Sequence, residues 1–451
     1  MTLKWKTCCV PIFFLLLANG GAWGATAPGS AARAGAIGPG VNPGRASAAY
    51  LLNANSLVWI EQKVTKSNPV VGDFYGNAVA IDGDTAVIGA YEVDVDGHTQ
   101  QGAAYVFTRT NGTWNEAQML TASGSGEQDH FGYAVAIDGD RILVGAPEVD
   151  IGGDSNQGAV YVFTRSNGGW SEAQTLTAGD GAAGDYFGDA VALDGDRALI
   201  GAMWADVGGK NAQGEAYVFD RANGSWSEAA ALTASDGGGG DNFGFAVSVD
   251  GDTAVVGAPL FEGGGPGDQG AAYVFTRTNG NWSEMQALTA SDARSDDFFG
   301  DAVAVAGNTV LGGARWADFT HTDEGGVYVY IRSNGVWNQM QTLTASDGTY
   351  GDFFGYSVAI DGDRAVIGAP RADIDGDPHQ GAAYLFTRSN GSWSEVQKVT
   401  ASDGEMDDEF AAAVALSGST ALAGMRWAGG FAQGAAYFYG GSDLALAVSA
   451  P

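Results

Sequence analysis

The chain has 451 residues, a formal net charge of −32 and two cysteines. This length exceeds the size at which a single hydrophobic core usually stops growing, so it favours several domains or a repeat array. The strong negative charge argues against nucleic acid and anionic membranes as partners, and it fits either solubility in a salty medium or cation binding.

Residues 1–24 predict a secretory signal peptide. Lys4 and Lys6 precede an apolar run from Cys8 to Ala18, and small residues lead to a cleavage point before Ala25. The apolar run is too short to span a bilayer, and no second run follows it, so no transmembrane segment is expected in the mature chain. Both cysteines lie in the signal, which excludes disulfides and cysteine metal sites from the mature protein. We expect an exported protein that is secreted, periplasmic or at the cell surface.

Residues 25–56 are rich in Ala, Gly and Pro and predict a disordered linker. Residues 57–440 then repeat every 55 or 56 positions, and residues 441–451 form a tail. The repeat predicts a propeller or another repeat array. Its reference position is occupied by Gly76, Gly132, Gly188, Gly244, Gly300, Gly355 and Ala411.

Each repeat contains four short strand patterns bounded by glycine turns, for example 133–137, 141–146, 159–165 and 170–178. Compact Asp-Gly and Asn-Gly turns join the first to the second strand and the third to the fourth. The two other links are long. The fold class is therefore predicted as all-β, a seven-bladed β-propeller of four-stranded antiparallel blades with every long loop on one face. A parallel solenoid is the alternative, but it predicts no tight hairpins, and the strands are too short for an outer-membrane barrel.

The seventh repeat lacks its tryptophan-containing fourth strand, and a copy of that strand stands before the first repeat at 57–65, with Trp59 in the matching position. Pairing it with residues 435–439 would close the ring and remove two free sheet edges. We therefore predict that an N-terminal strand completes the last blade.

Phe131-Gly132 followed by Gly145-Ala146-Pro147 resembles the FG-GAP repeat of integrin α-subunit propellers and of exported bacterial proteins. The resemblance covers about residues 57–440 and is imperfect in the first and last repeats. It implies a propeller that binds partners through its loop-rich face. The integrin repeats also carry a calcium loop in the first hairpin. That hairpin is reduced here to Asp138-Gly139-Asp140 and its equivalents, too few oxygens for calcium, so this site does not carry over.

An aspartate stands two residues before each recurring aromatic residue. We expect it to accept backbone N–H bonds and hold the incoming loop, and a cation-binding ring of acids is the alternative. These acids are Asp73, Asp129, Asp185, Asp241, Asp297, Asp352 and Asp408.

Two loops resemble the first half of an EF-hand calcium loop but lack the acid expected at its twelfth position. No cofactor is required by the sequence, and Ca²⁺ is a minority hypothesis at these loops. Its candidate ligands are Glu92, Asp94, Asp96, Asp373, Asp375 and Asp377.

Repeats three, five and seven replace the proline region by residue pairs that end in Trp204, Trp316 and Trp427. Exposed tryptophans beside acidic loops are candidate ligand-binding residues for sugar rings or a protein partner. The alternative is that each ring packs under its own loop.

The four histidines fall in separate repeats without a serine or cysteine partner at motif spacing, and no catalytic residues are assigned. We expect a non-catalytic binding or adhesion propeller, monomeric, that engages an extracellular protein or polysaccharide through its loop-rich face. The alternative is a carbohydrate-active enzyme, a glycosidase or lyase, that uses acids on the same face.

Overall fold

The computed structural model describes residues 6–7, 59–124, 126–263, 267–428 and 432–441. The predicted linker, most of the predicted signal peptide and all but one residue of the tail lie outside these ranges. Lys6–Thr7 forms a two-residue strand that pairs with Ser357–Asp361. Within the described ranges, no helix has the length and apolar character needed to cross a bilayer.

The fold is an all-β, seven-bladed propeller in which each blade is a four-stranded antiparallel sheet. The innermost strands are Val79–Asp82, Val135–Asp138, Val191–Asp194, Ala246–Asp250, Ala302–Ala306, Ser357–Asp361 and Phe410–Ser417. The second strands are Thr85–Ala90, Arg141–Ala146, Arg197–Ala202, Thr253–Ala258, Thr309–Ala314, Arg364–Ala369 and Thr420–Met425. The third strands are Ala103–Thr110, Ala159–Ser166, Glu215–Ala222, Ala271–Thr278, Gly326–Ser333, Ala382–Ser389 and Ala435–Gly441. The outermost strands are Thr113–Leu120, Gly169–Leu176, Ser225–Leu232, Asn281–Leu288, Val336–Leu343, Ser392–Val399 and, for blade seven, Trp59–Val64.

Burial along the strands explains their composition. The second strand Thr85–Ala90 is buried at every position, because neighbouring blades cover both of its faces, and it reads as a continuous run of small and branched residues. The outermost strand Thr113–Leu120 is largely exposed, with only Trp114 and Leu120 buried. The hydrophobic core therefore lies between blades.

The seven blades close as the sequence predicted. Trp59–Val64 pairs antiparallel with Ala435–Gly441, so the N-terminal strand is the fourth strand of blade seven. Side chains fix it on both sides. Glu61 accepts hydrogen bonds from the backbone N–H and hydroxyl of Ser402, at 3.2 and 2.5 Å, and Gln62 exchanges two bonds with the backbone of Trp114 in blade one.

The recurring aromatic residue fills the space between blades. Phe131 is fully buried and meets the rings of Tyr161 and Phe163 edge-on. Glycine suits the next position, because Gly132 has a φ of 96° and a Cβ there would collide with the carbonyl oxygen of Ala103. Blade seven departs from this pattern with Ala411, at a φ of 67°. Packing at the blade interface thus favours the pair Phe-Gly.

A glutamine on the outermost strand links each blade to the next. Gln118 donates from Nε2 to the carbonyl of Trp170 at 2.8 Å and accepts from its N–H at 2.9 Å. The same paired bonds join Gln62 to Trp114, Gln174 to Trp226, Gln286 to Trp337 and Gln341 to Trp393. At the corresponding position before Trp282 the chain has Ala230, which offers neither bond.

Deleting residues 57–65 is expected to abolish or sharply lower the folding transition, because the deletion exposes an unpaired sheet edge in blade seven and breaks the ring. We expect the melting temperature to fall by more than about 10 °C. Calorimetry would compare this truncation with deletion of 25–56, which removes none of the described contacts. Equal melting temperatures for the two would contradict a stabilising closure.

Substituting Ala230→Gln is expected to stabilise the protein by about 1–2 kcal/mol, since the new amide can make two hydrogen bonds of roughly 0.5–1.5 kcal/mol each with Trp282. Urea unfolding would measure the change. Gln174→Ala, which removes an existing pair, is the matched variant and should cost a similar amount. If A230Q folds but is less stable than the unchanged protein, the small side chain of Ala230 is required at this interface.

Candidate functional site at the axis of the loop-rich face

The two faces of the propeller differ in their connections. On one face, two-residue turns such as Gly83-Asp84 join neighbouring strands. The opposite, loop-rich face carries the links between second and third strands and the links between blades. Backbone hydrogen bonds join these two kinds of link. In the link between blades one and two, the N–H of Phe131 donates at 2.9 Å to the carbonyl of Gln101, which lies in the link between the second and third strands of blade one. Equivalent bonds recur in other blades. The loops are thus anchored where they meet the axis.

The acid before each aromatic residue holds its own loop. One oxygen of each accepts the backbone N–H of the residue three positions earlier, at 2.5–2.7 Å, in all seven blades. Asp73 also forms a buried ion pair with Lys66 at 2.6 Å. The residue that follows each acid has positive φ, as in His130 at 55°, and this turns the chain into the innermost strand.

Burial raises the pKa of several of these acids, and the backbone N–H bond opposes the shift. The direction is upward for Asp129, Asp185, Asp241, Asp352 and Asp408. For Asp297 burial raises the pKa to about 6. Removal from water penalises the charged carboxylate by more than the hydrogen bond stabilises it.

Several of the candidate calcium residues likewise accept hydrogen bonds from within their own loops. Asp94 accepts the N–H of Gln100 at 2.9 Å, and Asp373 accepts the N–H of His379 at 3.0 Å. Glu92 accepts a bond from the Gln100 side chain at 3.2 Å. In the described part of the chain, no three His, Cys, Asp or Glu side chains come together as a group that could hold a metal ion. For Asp96, Asp375 and Asp377 no ligand cluster is formed either.

The three candidate tryptophans occupy different environments. Trp204 and Trp427 are each 37% exposed, and Trp427 meets the ring of Phe74 edge-on at 5.0 Å. Trp316 is half-buried between Phe298 and Phe353. Trp316 and Trp427 therefore both take part in aromatic contacts, and Phe74 also stacks on Tyr91 at 5.3 Å.

The axial mouth is defined here by the residue that follows the Phe-Gly pair of each blade, where the innermost strands begin around the axis. These residues are Asn77, Tyr133, Asp189, Phe245, Asp301, Tyr356 and Ala412. Asp189 is 3% exposed and Asp301 is 1% exposed. Burial and the nearby charge of Glu148 raise the pKa of Asp189 well above its ordinary value, and burial raises that of Asp301 to about 6 despite Arg315.

Blades five to seven bring positive charge to the axial mouth. The guanidinium groups of Arg315 and Arg426 lie over the Tyr356 ring, at 5.4 and 5.8 Å from its centre. Arg426 is neutralised by Glu409, which accepts two of its N–H bonds at 2.8 and 2.6 Å. Arg315 forms an ion pair with Asp301, in which Nε lies 3.2 Å from Oδ2.

The opposite side of the mouth is acidic and aromatic. Tyr91 packs edge-on against Tyr133 and His130, each at 5.4 Å. His130 Nδ1 lies 3.1 Å from a Glu148 oxygen. Arg315 and Arg426 thus each lie beside a carboxylate of their own side, Asp301 and Glu409, whereas blades two and three contribute Glu148 and Asp189.

The axial mouth is a site that the sequence interpretation missed. The sequence held a signal for it. The repeats agree closely around the Phe-Gly pair, except that the residue directly after the pair differs in character from blade to blade. The residue after the Gly-Ala pair also differs between blades, and it is Arg315 in blade five.

Two histidines lie beside acids on separate blades. His321 pairs with Glu324, and His379 pairs with Asp407.

Comparison with known proteins identifies the repeat and gives little more. A family model described as FG-GAP repeat matches residues 59–107, 114–163, 170–219, 226–275, 282–330, 337–386 and 393–439. No curated protein matches the sequence. Among solved structures, the chain is similar to the periplasmic gluconolactonase PpgL of Pseudomonas aeruginosa, with a TM-score of 0.47 and 15% identity over 73% of this chain and 86% of that chain.

The protein is expected to be more stable in mild acid than at pH 8. An acid whose pKa is raised in the folded state binds its proton more tightly there, so stability falls as the pH rises from about 4, the pKa of an unfolded aspartate, through the folded value. Asp297, Asp301 and Asp361, at about 6, 6 and 7, place this fall between about pH 4 and 7. The pKa values of Asp347 and Asp403 are lowered in the folded protein, so these two acids favour stability at higher pH, but their effect lies only below about pH 4.

Melting temperatures measured from about pH 5 to pH 8 would test this. Asp297→Asn should flatten the decline, because an amide accepts the same N–H bond without ionising. Asp252→Asn is the matched control, since its side chain is 70% exposed. A melting temperature that rises toward pH 8 would contradict the expected sign.

Proposed function

This chain belongs to the FG-GAP repeat family, and we propose that it is an exported, non-catalytic binding propeller that engages an extracellular polysaccharide or protein through its loop-rich face. The signal peptide predicted at residues 1–24 supports export to the periplasm, the cell surface or the medium. The acidic surface disfavours nucleic acid. The proposal needs no cofactor, and Ca²⁺ enters only as an ion that the acidic loops can be tested for.

The observation that carries the proposal is the asymmetry of the two faces. Tight turns leave one face little surface that varies between blades, whereas the other combines anchored loops of differing sequence with aromatic and charged groups. Binding residues are concentrated on loops positioned by a rigid scaffold in many folds, and this arrangement has that form. Exposed Trp204 and Trp427 supply large rigid contact areas at its surface.

Arrays of extracellular glycans and a panel of surface proteins would test the proposal with the purified exported protein. Trp427→Ala and Trp204→Ala should weaken binding by roughly tenfold or more, the usual cost of removing a central aromatic anchor. Met340→Ala is the matched control, because Met340 is a 63% exposed apolar side chain on the outermost strand of blade five, away from the loop-rich face.

Three results would overturn the proposal. Binding that both tryptophan variants retain would place the ligand elsewhere, and no binding to any glycan or surface protein would remove the function. Release of cleaved sugar products from a bound glycan would instead favour the alternative, a carbohydrate-active enzyme.

A further inference from the structure

We propose that a cleft in blade one is the docking site for a basic side chain, lysine or arginine, that is flanked by apolar residues on an extracellular protein partner. The cleft has a volume of about 740 Å³ and lies on the loop-rich face, between the link at 66–73 and the link at 92–100. This inference rests on the proposed function, and it selects a protein over a polysaccharide as the partner. It is carried by the cleft itself, by the apolar residues at its rim and by the charge of its lining.

Blade one departs from the other repeats at this cleft. Lys66 stands where each of the other six blades has an alanine. Four blades anchor the corresponding link through a tyrosine hydroxyl that donates to an aspartate, as Tyr217 does to Asp180 at 3.0 Å. Blade one has Asn68 in place of that aspartate, so the carboxylate that would accept from Tyr105 is missing. The lining of the cleft is therefore specific to blade one.

The lining of the cleft has a net negative charge. Lys66 and Asp73 neutralise each other in an ion pair at 2.6 Å, with both side chains 5% exposed. The link at 92–100 adds two carboxylates, Glu92 and Asp94, and no further cation lines the cleft. One positive charge against three negative charges leaves −2, which favours a cationic ligand.

Glu92 is the carboxylate that a cation would stabilise most. It is half-buried, and it accepts a hydrogen bond from the Gln100 side chain at 3.2 Å. Burial raises its pKa, although this hydrogen bond opposes the shift. A basic group that docks beside Glu92 would restore the stabilisation of charge that burial removes, through a charge-assisted hydrogen bond.

The rim of the cleft is apolar. Val70, Val71 and Met119 line it and are 59%, 56% and 45% exposed. No other blade has two adjacent valines at the position of Val70 and Val71. The aliphatic stem of a lysine or arginine covers apolar surface while its charged end reaches a carboxylate. The combination thus matches a basic side chain with apolar neighbours, whereas an uncharged or acidic polysaccharide supplies neither.

The cleft adjoins the aromatic contacts of Trp427. Asp73 and Glu92 directly neighbour Phe74 and Tyr91 in the chain, and the rings of Phe74 and Tyr91 stack at 5.3 Å. Phe74 also meets the exposed ring of Trp427 at 5.0 Å. One protein partner can therefore contact Trp427 and the cleft together.

Calorimetric titration of the purified exported protein with two synthetic peptides would test the proposal. Acetyl-Leu-Lys-Leu-Lys-Leu-amide and acetyl-Leu-Glu-Leu-Glu-Leu-amide share their apolar residues and differ in charge, so we expect the basic peptide to bind roughly tenfold or more tightly. Glu92→Gln removes the charge and keeps an acceptor for Gln100, and it should weaken binding of the basic peptide roughly tenfold. Met119→Ala should weaken it roughly threefold, because less apolar surface is buried.

Asp96→Asn and Met340→Ala are the matched controls. Asp96 is an exposed acid of the same loop that does not line the cleft, and Met340 is an exposed methionine on the outermost strand of blade five. Each should change the affinity for the basic peptide less than twofold, since salt screens exposed charges over about 8 Å at physiological ionic strength.

Four results would overturn the cleft as the docking site: no binding of either peptide, equal affinity for both, equal losses in E92Q and D96N, or full affinity in M119A. Binding of the basic peptide only after deletion of 25–56, which contains Arg33 and Arg45 and no acid, would make the chain's own linker the occupant and overturn the partner assignment. If the glycan and protein arrays still give binding that depends on Trp427, the proposed function stands and only this assignment fails; if they give none, both fail.

Discussion

Hydrogen bonds between blades are the constraint on which the rest of this structure depends, because each blade alone is a small sheet with two uncovered faces. On the turn face, the first acid of each Asp-Gly-Asp turn accepts the glycine N–H of the next blade. Asp82 bonds Gly139 at 2.7 Å, and the series continues through Asp138, Asp194, Asp250 and Asp361. Ser417 completes the circle by accepting the N–H of Gly83 in blade one at 3.0 Å. The turn acids are thus connectors between blades, which explains why they recur.

The circle has one break, and the reason is visible in the sequence. Blade five has Ala306 where the others have Asp or Ser, so Gly362 in blade six finds no side-chain acceptor there. A second series, the glutamine–tryptophan pairs of the outermost strands, is interrupted at Ala230, between blades three and four. The two gaps fall at different blade interfaces, so no interface loses both series. Such redundancy fits a closed ring, in which each interface is also held in place by the six others.

The features that recur in every repeat could be predicted from the sequence. Glycine spacing, the compact turns and the displaced strand at Trp59 gave the blade number, the strand order and the closure, because each is a local pattern copied seven times. Side chains that act across blades were harder to interpret. The acid at Asp129 was expected to hold its loop, and it accepts the N–H of Gly126, yet nothing local indicated that the acid at Asp138 accepts a bond from a residue 57 positions later. The axial mouth escaped for the same reason, since its residues come from seven separate repeats.

A closed ring also explains where variation is tolerated. Most blade interfaces repeat the same Phe, Gly and Gln, because each of these residues contacts a neighbouring blade, and the exceptions are Tyr75, Ala411 and Ala230. The start of each innermost strand has no such neighbour requirement on the axial side, where Asp189, Tyr356 and the other mouth residues converge. The residue after the Phe-Gly pair varies among Asn, Tyr, Asp, Phe and Ala, so the blades differ at the axial mouth, whereas their interfaces are nearly uniform.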